Sequence, residues 1–275
     1  MNDVRSPAPA ATTRLPLKPH GKVVAITSGK GGVGKTFVAA NMAAALASRG
    51  HKVLVLDADL GLANLDVVLN LYPKITLHDV FTGKATLEEA ILPAPGGFSV
   101  LLAGSGMVEY SRLTPDMRQE FLRVVNSLVP RYDVVLLDTG AGISDVVLFA
   151  VSLASEVLMV ATPEPTSLTD AYATIKVLVS QQQRQTVRVV VNQTQPAAGQ
   201  AITKQLQHVL DRFVNPGSEH PVRLLHLGDI PSDAGVRDAV MRRQLLLQTS
   251  PTSPAARAVS VLAGKLEQAL MAKNT

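Results

Sequence analysis

A Val-rich run over residues 23–28 leads straight into Gly29-Lys30-Gly31-Gly32-Val33-Gly34-Lys35-Thr36, and a helix-patterned stretch follows over 36–49. This string fits G-x-x-x-x-G-K-[ST] in the strand–loop–helix setting that the motif requires. Glycines there let successive backbone N–H groups turn inward around an anion without side-chain clash. The helix behind adds the positive end of its dipole. Such a loop predicts a bound nucleotide, with Lys35 reaching the β- and γ-phosphates and the Thr36 hydroxyl on Mg²⁺.

The remaining pattern agrees with the fold class that this loop demands. Short Val/Leu-rich runs at 53–57, 99–102, 133–138, 157–161, 187–192 and 224–227 read as further strands. Helical periodicity fills 115–128, 144–154, 167–182, 199–213, 234–245 and 259–271. Alternating strands and helices predict an α/β fold: a mainly parallel twisted sheet of about eight strands with helices on both faces. Residues 1–20, rich in Pro, Ala and Thr, read as a loose leader, and 21–275 as one domain.

Composition removes several alternatives. The chain has no cysteine, which excludes disulfides, cysteine nucleophiles, thiolate zinc sites and cysteine-held iron–sulfur clusters. A net charge of +4 over 275 residues does not call for nucleic acid. No apolar run reaches the roughly 18 residues needed to span a bilayer, so a cytoplasmic protein is expected.

Two acidic segments complete the candidate site. Residues 55–59 read Val-Leu-Asp57-Ala-Asp59, and the string continues to Asn64-Leu65-Asp66. Asp57 and Asp59 are two apart and share a face if the strand stays extended. Residues 134–142 are an apolar run ending in Asp138-Thr139-Gly140-Ala141-Gly142. Such a strand end suits a carboxylate that holds Mg²⁺, directly or through water.

The loop with its additional lysine, Lys30, resembles the deviant phosphate loop of the MinD/ParA superfamily. That resemblance implies an ATP-sandwiched homodimer in which Lys30 crosses to the partner's phosphates. It also implies that Asp59 orients the attacking water and Asp57 supports the metal region. Asn192 would bond adenine, and the segment 230–233, with Pro231 and Asp233, would lie against the base. Gly61–Val67, Leu102–Gly106, Asp138–Ile143 and especially Thr162–Ala173 are similar to the flagellar-number regulators of the FlhG/FleN branch. Flagellar assembly or transcription regulators are then the expected partners. A ParA-type partitioning, division-site or secretion-system role is the alternative, as is a scaffold that binds nucleotide without turnover. Residues Gly29 to Thr36 and Phe37 are expected to contact the nucleotide, and Phe37 departs from the family, where a second Thr or Ser is common. Residues 1–20 do not contain the Asp-Gln-Ala-x-x-Leu-Arg segment by which such regulators stimulate a GTPase partner.

The last helical stretch carries Val259, Leu262, Leu266 and Leu270 on one stripe. The family suggests reversible membrane binding through it, at the inner face of the cell membrane, and packing on the sheet is the competing reading. Arg237, Arg242 and Arg243 are candidates for a DNA-binding patch, but without a helix-turn-helix signature they read as a solvated helix face.

Overall fold

The computed structural model describes residues 21–61, 63–104 and 113–272. The expected leader, Leu62, Ser105, Gly106 and Lys273 lie outside the described residues.

Among the described residues the strands are β1 (Lys22–Ser28), β2 (Val53–Ala58), β3 (Ile91–Pro93), β4 (Ser99–Leu101), β5 (Val134–Ala141), β6 (Glu156–Ala161), β7 (Thr186–Thr194) and β8 (Arg223–Pro231). They form one sheet in the order β3-β4-β2-β5-β1-β6-β7-β8. All neighbours are parallel except β3 and β4. The helices are α1 (Lys35–Ser48), α2 (Leu65–Leu69), α3 (Leu77–Phe81), α4 (Leu87–Ala90), α5 (Pro115–Leu128), α6 (Asp145–Ser152), α7 (Pro165–Gln182), α8 (Ala198–Phe213), α9 (Ala234–Met241), α10 (Leu246–Thr249) and α11 (Pro254–Ala272).

The two-residue period of the strands divides the core. Val24, Ile26, Val53 and Val55 join α1 and α11 in one buried cluster. Val23, Ala25, Leu54 and Leu56 face the other way, against Phe121, Val124 and Leu128 of α5 and Ile175 of α7. A sheet apolar on both faces is stable only between two helix layers. β1 lies between β5 and β6, so the loop that leaves it emerges mid-sheet at the carboxyl ends of the parallel strands, where ligands bind in this architecture.

The structure departs from the expected elements at several places, among them the short helices α2, α3, α4 and α10, which the sequence pattern did not suggest. The antiparallel edge strand β3 is too short to show a period. β8 runs past the expected stop through a bulge near Gly228. The helix expected over 234–245 breaks at Arg243, whose φ of 54° is left-handed. α11 begins at Pro254, because Ala255 and Ala256 are buried although neither carries a large side chain.

The apolar stripe of α11 is its inner face. Val259, Leu262, Leu266 and Leu270 are each at most 1% exposed. The stripe is therefore committed to the core, as the packing reading has it. No helix of the described residues is long and apolar enough to cross a membrane.

Candidate functional site

The loop between β1 and α1 is held open by glycine geometry. Gly32 and Gly34 adopt φ of 79° and 94°, a region that L side chains avoid. At Gly29 a Cβ would fall 2.1 Å from the backbone of Asp170 in α7. The first N–H groups of α1 have no capping side chain, since its N-cap is Gly34. They are left for an anion.

Below the loop lies a tight group of charges. Lys35, Thr36 and Asp59 line a cleft of about 1310 Å³, together with Gly31, Gly32 and Gly140. Asp138 stands behind it, 3% exposed. Burial pushes its carboxyl up to about 7, against a Thr36 hydrogen bond and the Lys35 ammonium, which pull down; Asp59 adds a smaller upward push. Burial lowers the Lys35 ammonium from its usual range, and Asp138 and Asp59 partly restore it. Asp138 Oδ1 is buried without a hydrogen-bond partner, a costly arrangement for a lone carboxylate oxygen. A hydroxyl and an orphaned carboxylate oxygen beside a phosphate loop fit Mg²⁺, which takes few protein ligands and completes its shell with phosphates and water. Among the described residues no cluster of three or more His, Cys, Asp or Glu offers a protein-only metal cage.

Asp57 and Asp59 part company. Asp59 opens onto the cleft. Its carboxylate approaches Gly140 so closely that a Cβ there would lie 3.3 Å from Asp59 Oδ1. Asp57 is 1% exposed and accepts from the backbone N–H groups of Asp59 (3.1 Å) and Leu65 (3.4 Å). It borders a smaller second cavity rather than the cleft. Burial, followed by the Asp138 charge, raises its carboxyl well above the usual range. Asp57 thus anchors the segment that carries Asp59, and it pairs in register with Asp138 across β2 and β5.

The base end shows a similar division. Asn192 and Pro231 line the cleft at the ends of β7 and β8. Asn192 Nδ2 donates to Val33 O at 2.8 Å, and its Oδ1 accepts from Gln193 N at 2.9 Å. Asn192 therefore ties the phosphate loop to β7. A Cβ at Gly34 would sit 2.4 Å from its Nδ2. Asp233 lines the cleft but spends its carboxylate on the Gly235 and Ala255 amides, capping α9 and holding the start of α11. Those hydrogen bonds keep its carboxyl below the usual range. Phe37 lines the cleft and is 7% exposed.

Lys30 turns onto its own chain. Its Nζ lies 3.2 Å from Glu164 Oε2 and donates to Thr166 Oγ1 at 3.0 Å. Glu164 carries no separate motif, and sequence reasoning did not single it out. The signal available was its position inside the Thr162–Ala173 string, at the start of α7.

Comparison with known proteins agrees with this geometry. Residues 20–267 match the ParA family described as "NUBPL iron-transfer P-loop NTPase". The chain has no cysteine to hold iron through thiolate. It is 41% identical over 247 residues to the antiactivator FleN of Pseudomonas aeruginosa, covering 90% of this chain and 86% of that protein. It is 30% identical over 249 residues to the flagellum site-determining protein YlxH of Helicobacter pylori, covering 90% and 83%. The solved septum site-determining protein MinD of Pyrococcus horikoshii, complexed with Mg-ADP, superposes with a TM-score of 0.74 at 28% identity, covering 92% of this chain and 98% of that one. A phosphate loop with a second lysine, a buried aspartate of β5 behind it, and likeness to these proteins along nearly the whole fold have one common meaning: the chain belongs to the MinD/ParA family of P-loop ATPases.

Proposed function

We propose that this chain is an ATP-dependent dimerisation switch that regulates the number or placement of flagella. The observation that carries the ATPase reading is the buried, unpartnered Asp138 Oδ1 behind a cleft lined by Lys35 and Thr36, beneath an open phosphate loop. The flagellar reading rests on FleN and YlxH, relatives along most of the fold.

In this reading the bare N–H groups at the start of α1 and the Lys35 ammonium bind the β- and γ-phosphates. Thr36 and Asp138 would hold Mg²⁺, which neutralises phosphate charge when bound. Asp59, beside Gly140, orients the attacking water. Lys30 leaves Glu164 and reaches the phosphates of a second copy, where its charge stabilises the transferring group. Loss of the γ-phosphate removes the contacts that order the segments after Asp59 and Gly140, and the dimer relaxes. Flagellar regulators are the partners that read the dimer.

Deleting the gene in its host and counting flagella per cell by electron microscopy tests the cellular role. An altered number or position supports it. An unchanged count moves the role to partitioning, division or secretion and leaves the ATPase reading intact. Phosphate release by purified protein, set against Asp59→Ala, separates a hydrolysing switch from a nucleotide-binding scaffold.

A further inference from the structure

We propose that Asn192 is a positioning residue of the phosphate loop: through the Val33 carbonyl it aims the Gly34 N–H at the bound phosphates, and so sets phosphate affinity independently of any contact with the base. The inference rests on the ATP-site reading and gives Asn192 a task beyond the base contact that family resemblance implies.

The two halves of the loop are held from different strands. In the first half, Ser28 Oγ at the end of β1 donates to Lys30 O at 2.7 Å. The hold on the second half comes from two strands away. β6 separates β7 from β1, yet Asn192 near the end of β7 donates from Nδ2 to Val33 O at 2.8 Å. Val33 is 3% exposed and belongs to the buried cluster with α1. A carbonyl buried in this way needs a partner, and Asn192 supplies it. Asn192 is locked in its turn. It is 4% exposed, and its Oδ1 accepts from Gln193 N at 2.9 Å. With both ends of the amide engaged, the side chain is fixed in orientation.

Peptide planarity carries this contact to the anion site. Val33 O and the Gly34 N–H belong to one trans peptide unit and point in opposite directions. Fixing Val33 O on Asn192 therefore turns the Gly34 N–H away from Asn192. Among the described residues that N–H has no backbone acceptor. Gly34 lines the cleft beside Lys35, and its own carbonyl accepts from Val38 N at 3.0 Å, opening α1. The residue is thus set on both sides, with its N–H presented where an anion binds. The approach is close: a Cβ at Gly34 would lie 2.4 Å from Asn192 Nδ2. Without Asn192 the peptide between Val33 and Gly34 is free to rotate, because glycine accepts either sign of φ. A rotated peptide would turn a carbonyl towards the phosphates in place of a donor. The second Nδ2 hydrogen of Asn192 remains for a base, so the two tasks do not compete.

The test uses the whole chain and two ligands: Mg·ADP, and Mg·pyrophosphate, which has the phosphates but no nucleoside. In Asn192→Ala, titration calorimetry well below the melting temperature should show pyrophosphate affinity reduced by about ten-fold, and ADP affinity by at least that factor. Asn192→Ser keeps a polar group at the strand end but is too short to reach Val33 O, and it should lose as much pyrophosphate affinity. The Gly34 amide resonance of the ligand-free protein should move or broaden in both variants, since it reports the peptide that Asn192 holds. Parent-like pyrophosphate affinity with weakened ADP affinity would make Asn192 a base contact alone and overturn the proposal. Parent-like affinity for both ligands would overturn it too, as would an unmoved Gly34 resonance. A parent chain that binds neither ligand would instead overturn the ATP-site reading beneath it.

Discussion

Lys30 Nζ lies 3.2 Å from Glu164 Oε2, so the second lysine of the phosphate loop is held by its own subunit. If Lys30 acts on the phosphates of a second copy, this ion pair must open first. Both side chains are substantially exposed, 40% and 62%, and solvent screening makes such pairs weak. Glu164→Gln should therefore shift ATP-dependent dimer formation to lower protein concentration by no more than about five-fold. Lys30→Ala should leave ATP binding in place and remove dimer-dependent hydrolysis. Sedimentation velocity with and without ATP checks the first outcome, and phosphate release checks the second.

How much of this was legible in the sequence differs by residue. The glycines, Lys35, Thr36 and Asp138 could be read because their types and spacing are dictated by an anion and a cation. Asp57 could not be separated from Asp59 by alternation alone, since both leave the same strand end. What separates them is where the chain turns, which lets the Leu65 amide reach back to Asp57. Asn192 read as a base contact, but its amide also braces the loop through the Val33 carbonyl. The α11 stripe was visible, yet a periodic apolar face looks the same whether it meets a sheet or a lipid surface. Burial of Leu266 and Leu270 decides it.

Asp138 links stability to pH. Its folded value of about 7 stands above the 3.8 of an unperturbed aspartate. The folded state therefore binds the proton more tightly, and this group's contribution to stability is full below about pH 4 and lost as pH rises through about 7. Asp138→Asn removes that loss. In nucleotide-free protein at pH 8 the variant should melt ~5 °C above the parent, and the gap should close towards pH 4. Added Mg·ADP should stabilise the parent and do little for the variant. Thermal melts across pH, with and without Mg·ADP, measure all three.

Arg243 sits just past α9 at a φ of 54°. A side chain in the left-handed region costs free energy that glycine does not. Its N–H donates to Val240 O at 3.0 Å, in the manner of a helix stop. Arg243→Gly should keep that turn and raise stability by about 0.5–1 kcal/mol, read as a higher urea midpoint with an unchanged slope. A lower midpoint would show that the Arg243 side chain, which borders the second cavity, contributes more than its backbone costs.

Glu267 decides how firmly α11 is held. It is buried between α11 and the end of α1, 2.5 Å from His51 Nε2 and 2.7 Å from Arg49 Nε. Burial pushes its carboxyl up, but the His51 and Arg49 hydrogen bonds outweigh that and hold it below the usual range. A depressed acid stabilises above its unfolded value and loses that contribution as pH falls through the folded one. Glu267→Ala removes the partner of a buried imidazole whose Nδ1 already has none. The loss should be about 2–4 kcal/mol, and Glu267→Gln should recover part of it. Behind the cluster, Leu262, Leu266 and Leu270 remain packed in the core. Below its melting temperature Glu267→Ala should therefore pellet with anionic liposomes no more than the parent does, with or without ATP. A gain in ATP-dependent pelleting by the variant would mean that α11 can leave the sheet, and that the Arg49–His51–Glu267 cluster restrains a membrane-binding helix rather than fixing a structural one.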